Sequence, residues 1–256
     1  MITFHKFGPA LGLPDVSPFC IKVETYLRMA GLPFRAAVTD VRKAPKQKLP
    51  YVDDDGTIVC DSRDIIAHFE AKIAQPLDRG LSARERAIAT AFRGLIEEEM
   101  YFHGLYLRWQ VDENFRNYAP ALREYLVKAG VPKFIAPVIV RFVRKDVLRA
   151  AWGQGVGRHT REQVEARACE ALDALSEQLG QSAYFLGDRP RVIDATVHAF
   201  TWTMLDAPFE SRARRHAQSL ANLTAYSRRM RDAYYAEPAA RVQPNGASLH
   251  LAGSTA

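Results

Sequence analysis

Two kinds of hydrophobic spacing divide this chain. Up to about residue 75, short strand-like runs interchange with helical patterns, whereas beyond Ser82 apolar residues recur only at helical spacing. Residues 2–7 read as a strand, and 8–16 as a loop rich in Gly and Pro. Ser17 then stands just ahead of a helix, with Pro18 favoured at its first position. Phe19, Val23, Tyr26, Leu27 and Ala30 share one face of that helix, and Gly31 with Pro33 ends it. Residues 34–39 form a second strand. Tyr51-Val52 and 57–60 flank Asp53-Asp54-Asp55-Gly56, a hairpin signal because Asp-Gly supports positive φ. Ser62 opens a helix whose buried face is Ile65, Ile66, Phe69 and Ile73.

The order β-α-β, hairpin, α describes a small four-stranded α/β layer. Helical patterns follow over 83–110, 120–129, 132–152, 160–179, 192–205 and 220–235. The switch from mixed to all-helical predicts two packed domains. Their expected bounds are 1–75 and 82–237, joined by a linker at 76–81 containing Pro76 and Gly80. Residues 238–256 turn small and polar and are expected to be disordered.

Composition changes this picture little. Of the 256 residues 48% are hydrophobic and 25% charged, enough to bury a core and typical of a soluble protein. The net charge of +6 favours anionic small molecules. The basic faces Arg141/Arg144/Lys145/Arg149 and Arg228/Arg229/Arg231 lack interleaved aromatics, so they read as solvated, and no nucleic-acid partner is expected. Three distant cysteines, Cys20, Cys60 and Cys169, argue against a disulfide framework and suit a reducing cytosol, hence a cytoplasmic expectation. The chain starts on a strand pattern rather than a targeting pattern. Its apolar stretch at 134–143 is interrupted by Pro137 and Arg141, so no membrane partner is expected. The seven histidines show no metal-ligand spacing, and no metal is expected. Gly153, Gly155 and Gly157 follow a helix rather than a strand, which makes them a turn and not a nucleotide loop.

The start of the first helix carries the chemistry. Unpaired N–H groups and a partial positive charge sit there, and the Ser17 hydroxyl either caps the helix or hydrogen-bonds a sulfur anion, two compatible roles. Cys20 stands where a dithiol motif would put its second cysteine, but the first position is Ser17, so a Cys-x-x-Cys cycle is unavailable. Cys20 is then a small buried hydrophobe or a thiol open to a mixed disulfide.

Taken together, residues 17–30 (from Ser17-Pro18-Phe19-Cys20), 42–52 (ending Leu49-Pro50-Tyr51-Val52), Asp61-Ser62, 101–109 (from Tyr101 to Arg108-Trp109) and Gly187-Asp188-Arg189-Pro190 followed by Asp194 resemble the glutathione transferase superfamily. Within it, the likeness is to the metaxin and failed-axon-connections branch. The resemblance implies an α/β thioredoxin-like N-terminal domain plus an all-α C-terminal domain. It also implies glutathione as a substrate, a small electrophile or a peroxide as second substrate, a homodimer and a role in detoxification. By the same resemblance Ser17 is the catalytic contact to the glutathione sulfur. Leu49, ahead of a cis Pro50, pairs with the cysteinyl amide, while Asp61 and Ser62 hold the γ-glutamyl amine and carboxylate. Asp61 has an alternative as a helix cap. Phe7, Leu11, Tyr101, Tyr106 and Arg108 are candidates for the second-substrate pocket, against plain core packing for the aromatic residues. A non-catalytic, metaxin-like binding or scaffold protein is the rival function. Gln47 stands where relatives often carry glycine. Arg191 stands where a Ser or Thr would complete a capping box with Asp194, so Arg191→Thr is expected to raise thermal stability.

Overall fold

In the computed structural model, which describes residues 1–236, strand β1 (Ile2–Lys6) is the hub of the N-terminal domain. It pairs parallel with β2 (Phe34–Val38) on one side and antiparallel with β3 (Tyr51–Asp54) on the other. β3 closes the Asp-Gly hairpin onto β4 (Thr57–Cys60), giving the sheet order β2-β1-β3-β4. Helix α1 (Pro18–Met29) makes the crossover between β1 and β2, and α2 (Ser62–Glu70) follows the hairpin. Phe4, Cys20, Val23, Tyr26, Leu27, Val52, Ile65 and Phe69 form one buried cluster between sheet and helices.

The helical region is a run of further helices with its own core. α3 (Ala83–Gly94) passes through a π-helical turn, Leu95–Met100, into α4 (Tyr101–Trp109). α5 (Asp112–Lys128), α6 (Ala136–Gln154), α7 (Arg161–Leu179), α8 (Val192–Asp206), α9 (Arg212–Ser219) and α10 (Ala221–Tyr235) complete the described part. α5 begins eight residues before the predicted start at Pro120, with Asp112 and Glu113 in its first turn, and Pro120 lies inside it at an exposed position. α9 carries no pattern in the sequence, because its buried residues are Ala213 and Ala217. The expected tail at 238–256 lies outside the described residues.

The two layers meet along α1. Pro18 and all residues from Cys20 to Leu27 are buried, including Lys22, Glu24 and Thr25, because the sheet covers one side of α1 and α8 the other. Each buried charge is paired, as desolvation requires. Lys22 meets Glu97 at 2.6 Å; Glu24 meets Arg28 at 2.9 Å and makes a short contact with Lys6. Arg191 is the main correction to expectation at this interface. Its backbone N–H donates to Asp194 Oδ2 at 2.8 Å, while its guanidinium donates to the Leu77 and Arg79 carbonyls at 2.9 and 2.8 Å. The residue that stands in place of a capping Ser or Thr therefore anchors the segment between α2 and α3, so Arg191→Thr is expected to lower stability rather than raise it.

Candidate functional site

Asp15 positions Ser17. Its carboxylate accepts from the Gly8 amide and the Ser17 amide, both at 2.8 Å, and so folds the loop between β1 and α1 onto itself. Asp15 is fully buried, and burial pushes its carboxyl up to about 6 although Lys6 and the two amides pull the other way. The sequence reading missed it. An Asp two residues before Ser17, after Pro14, is an Asx-turn signal that could have found it. Ser17 itself is extended (φ −101°, ψ 121°) at the N-cap position, yet its side chain makes no capping bond. The hydroxyl is thereby left to other partners.

Cys20 is wholly buried one turn inside α1. Burial pushes its thiol well up and the Asp15 charge adds to this; Lys6, the Phe7 backbone and the Ser17 hydroxyl oppose it only in part. It is a protonated, inaccessible thiol, the properties of a packing residue rather than a nucleophile.

The Leu49–Pro50 peptide is cis. Among the described residues, neither the Leu49 amide nor its carbonyl takes part in a hydrogen bond, so a donor and an acceptor stand unused ahead of β3. Gln47, two residues earlier, has φ +52°, the left-handed conformation that favours glycine. Asp61 has φ +81° and caps α2 by accepting from the Arg63 amide at 2.9 Å. Such a backbone is costly for a side-chain-bearing residue and is typical of positions fixed by function.

Ser62 is buried, and its Oγ accepts from Lys22 Nζ at 3.1 Å. Because the lysine uses the oxygen as acceptor, the Ser62 proton is free to be donated elsewhere. Lys22 also donates to Glu97 Oε1, which takes a further bond from Thr196 at 3.3 Å. Burial pulls the Lys22 ammonium below its usual range and Glu97 partly restores it. Lys22 and Glu97 were invisible to the sequence reading, since a Lys between Ile21 and Val23 carries no sign of burial.

A cavity of about 200 Å³ opens beside Ser17. It is lined by Phe7, Val16, Pro18, Tyr101, Leu105, Arg108, Trp109, Tyr118, Leu122 and Tyr125, among others, and a smaller one of about 70 Å³ adjoins across Tyr101, Leu105, Arg108 and Trp109. Of the five pocket candidates, Phe7, Tyr101 and Arg108 line the larger cavity. Tyr106 instead packs in the helical core with its hydroxyl toward the His159 carbonyl at 3.4 Å, and Leu11 lies against that core. Tyr125 was not anticipated. Its hydroxyl donates to the Thr39 carbonyl at 2.9 Å and accepts from the Val41 amide at 2.8 Å, joining α5 to the end of β2. Burial pushes its phenol up to about 12. Among the described residues no cluster of three or more His, Cys, Asp or Glu has the placement to hold a metal ion, and no helix is long and apolar enough to cross a membrane.

A βαβ unit, then a hairpin entered through a cis-proline, backed by an all-helical domain that walls a cleft at the first helix, is the glutathione transferase fold. Residues 18–115 match the glutathione S-transferase N-terminal domain, and 168–230 match the corresponding C-terminal domain. The chain is 35% identical over 240 residues to the isoprene-epoxide–glutathione S-transferase of a Rhodococcus strain, covering 91% of this chain and 99% of that one. It belongs to the glutathione S-transferase superfamily. It is also 28% identical to Drosophila melanogaster Failed axon connections, over 78% of this chain but only 49% of that protein. Metaxin-1 of Macaca fascicularis is 28% identical, over 91% of this chain and 75% of that one. Among solved structures, a rice GST in complex with glutathione shares the fold with a TM-score of 0.55 at 16% identity, covering 90% of this chain and 87% of that one.

Proposed function

We propose that this chain is a glutathione transferase that ionises the glutathione thiol at Ser17 and directs it at a small electrophile in the adjoining cavity. The observation that carries the reading is the Ser17 hydroxyl, uncapped at the start of α1 and lining that cavity. The tripeptide fits the remaining free groups. The Leu49 amide and carbonyl meet its cysteinyl backbone, the Ser62 hydroxyl donates to the γ-glutamyl carboxylate, and Asp61 faces the ammonium. A hydroxyl bond to an anion contributes about 1.5–3 kcal/mol and a helix terminus about 0.3–2 kcal/mol. At about 1.4 kcal/mol per pKa unit, a bound thiol falls by about one to three units from its usual 8.5, and a fall of about two units makes it mostly thiolate at neutral pH.

The cavity is small beside the roughly 300–1,000 Å³ of drug-sized sites, and the Rhodococcus relative is named for a small epoxide. A compact epoxide is therefore the favoured electrophile. The proposal extends to a cytoplasmic homodimer acting in detoxification, its assembly state to be read by gel filtration.

Failed axon connections and metaxin among the relatives favour a second reading, a glutathione-transferase fold kept for binding without turnover. Calorimetry with glutathione and a thiol-conjugation assay separate the two. The Ser17→Ala variant is the sharper test: it should lose turnover far more than glutathione affinity. Equal catalysis by this variant removes Ser17 from the mechanism.

A further inference from the structure

Of the residues lining the two cavities, Arg108 alone is charged among the described residues. It projects from α4 into the shared wall, and its Nη1 donates to the Val16 carbonyl at 2.9 Å, one peptide unit from Ser17. The guanidinium lies 5.2 Å from the Tyr118 ring centre and 5.3 Å from that of Phe209, so aromatic faces fix its plane. Its Nε is buried without a hydrogen-bond partner. Half-buried against aromatic rings, this guanidinium is the positive charge on otherwise uncharged cavity walls, an arrangement that favours an arriving anion.

Resting on the transferase reading above, we propose that Arg108 is a catalytic residue that receives the oxygen anion released from the electrophile, and that it makes oxygen-leaving electrophiles of the epoxide type the preferred substrates. In this step the thiolate sulfur attacks a ring carbon, the C–S bond forms and the C–O bond breaks. The C–O electron pair stays on oxygen as an alkoxide. The proton that glutathione lost on ionising returns to that oxygen through solvent, so the product is a hydroxy thioether with nothing oxidised or reduced. Arg108 lends donors and charge to the alkoxide and gives up no proton of its own, because the proton comes from solvent. Donors fixed in advance where charge develops, in a low-dielectric cleft, act most strongly in the transition state.

The competing role for Arg108 is a strut that merely holds Val16, and hence Ser17, in place. Two electrophiles of matched size separate the roles. With glutathione and the full chain, kcat/KM is measured for 1,2-epoxybutane, which leaves a hard alkoxide, and for 1-iodobutane, which leaves diffuse iodide. Arg108→Gln is expected to lower the epoxide value about 100-fold, the scale of losing one oxyanion donor. The iodide value should fall far less, and Arg108→Lys should recover part of the ratio. A strut predicts instead an equal loss with both electrophiles together with a raised KM for glutathione, and that result overturns the proposal. Collapse of the epoxide-to-iodide ratio in Tyr101→Phe, with Arg108 intact, overturns it too by assigning the oxygen to the phenol. A wild-type chain that conjugates 1-iodobutane but not the epoxide refutes the Arg108 role while leaving the transferase reading standing. Failure with both electrophiles and no glutathione binding refutes both.

Discussion

Lys22 reaches across from α1 to the first residue of α2, its Nζ 3.1 Å from the Ser62 hydroxyl and 2.6 Å from the Glu97 carboxylate. One buried cation thus orients a candidate ligand group and joins the two domains. Lys22→Met leaves Glu97 nearly buried and unpaired, which should cost about 3–5 kcal/mol of stability by chemical denaturation. Lys22→Met combined with Glu97→Gln should regain most of that loss without regaining glutathione affinity by calorimetry. Recovery of both would reduce Lys22 to a purely structural part.

For Ser17→Ala, the distinguishing measurement is the ionisation of bound glutathione, followed by thiolate absorbance against pH. Loss of one hydroxyl bond to an anion should raise the apparent thiol pKa by about one unit or more. An unshifted titration would assign the stabilisation to the helix terminus instead.

Arg191→Thr should lower the melting temperature. A threonine cap returns about 1 kcal/mol, whereas removing the guanidinium breaks its bonds to the Leu77 and Arg79 carbonyls. Bonds from a charged donor contribute about 1.5–3 kcal/mol each, so the net loss is about 2 kcal/mol or more. A rise in melting temperature would show that the linker contact carries little.

His198 supplies a pH dependence with a definite sign. Its ring is fully buried against Trp202, without a partner on either nitrogen, and burial with nearby Arg231 holds it down to about 3. The unfolded ring titrates near 6.5, so the unfolded state alone binds this proton in the window from about 6.5 down to about 3. Stability is therefore lost as pH falls below about 6.5. His103, held down to about 4 by burial, acts in the same sense. Asp15 and Asp194, both raised to about 6, act oppositely between about 4 and 6 because the folded state keeps their protons. His198→Phe isolates one contribution: relative to wild type, it should gain about 2 kcal/mol between pH 7 and pH 5. Parallel stability curves for the two proteins would contradict a neutral buried ring.

What the sequence made legible was punctuation and periodicity. Pro18 and Gly31 bracket α1, Asp55-Gly56 turns the hairpin, and the three motifs at Ser17, Leu49-Pro50 and Asp61-Ser62 stand in the order the fold requires. Hidden were contacts that depend on the packing of distant elements. Lys22 and Glu24 carry no sign of burial until Glu97 and Lys6 meet them, and Asp15 reads as a loop residue until its carboxylate closes on Gly8 and Ser17. Tyr106 and Tyr101 share a helix and a residue type, yet α7 and the turn before it cover one while the cleft keeps the other. Helical spacing places both near the middle of the domain and cannot say which faces the opening.

The π-helical turn Leu95–Met100 acts as a shim in the long helix that serves both halves of the cleft. Glu97, within it, faces down to Lys22, and Tyr101 and Arg108, beyond it, face the cavity. Each residue of an α-helix advances the phase by about 100°, so dropping a single residue here would swing both cavity side chains away and release the Val16 carbonyl that Arg108 holds. Drift in the length of this one turn would therefore dismantle the second-substrate half of the cleft and loosen the peptide unit ahead of Ser17 with it.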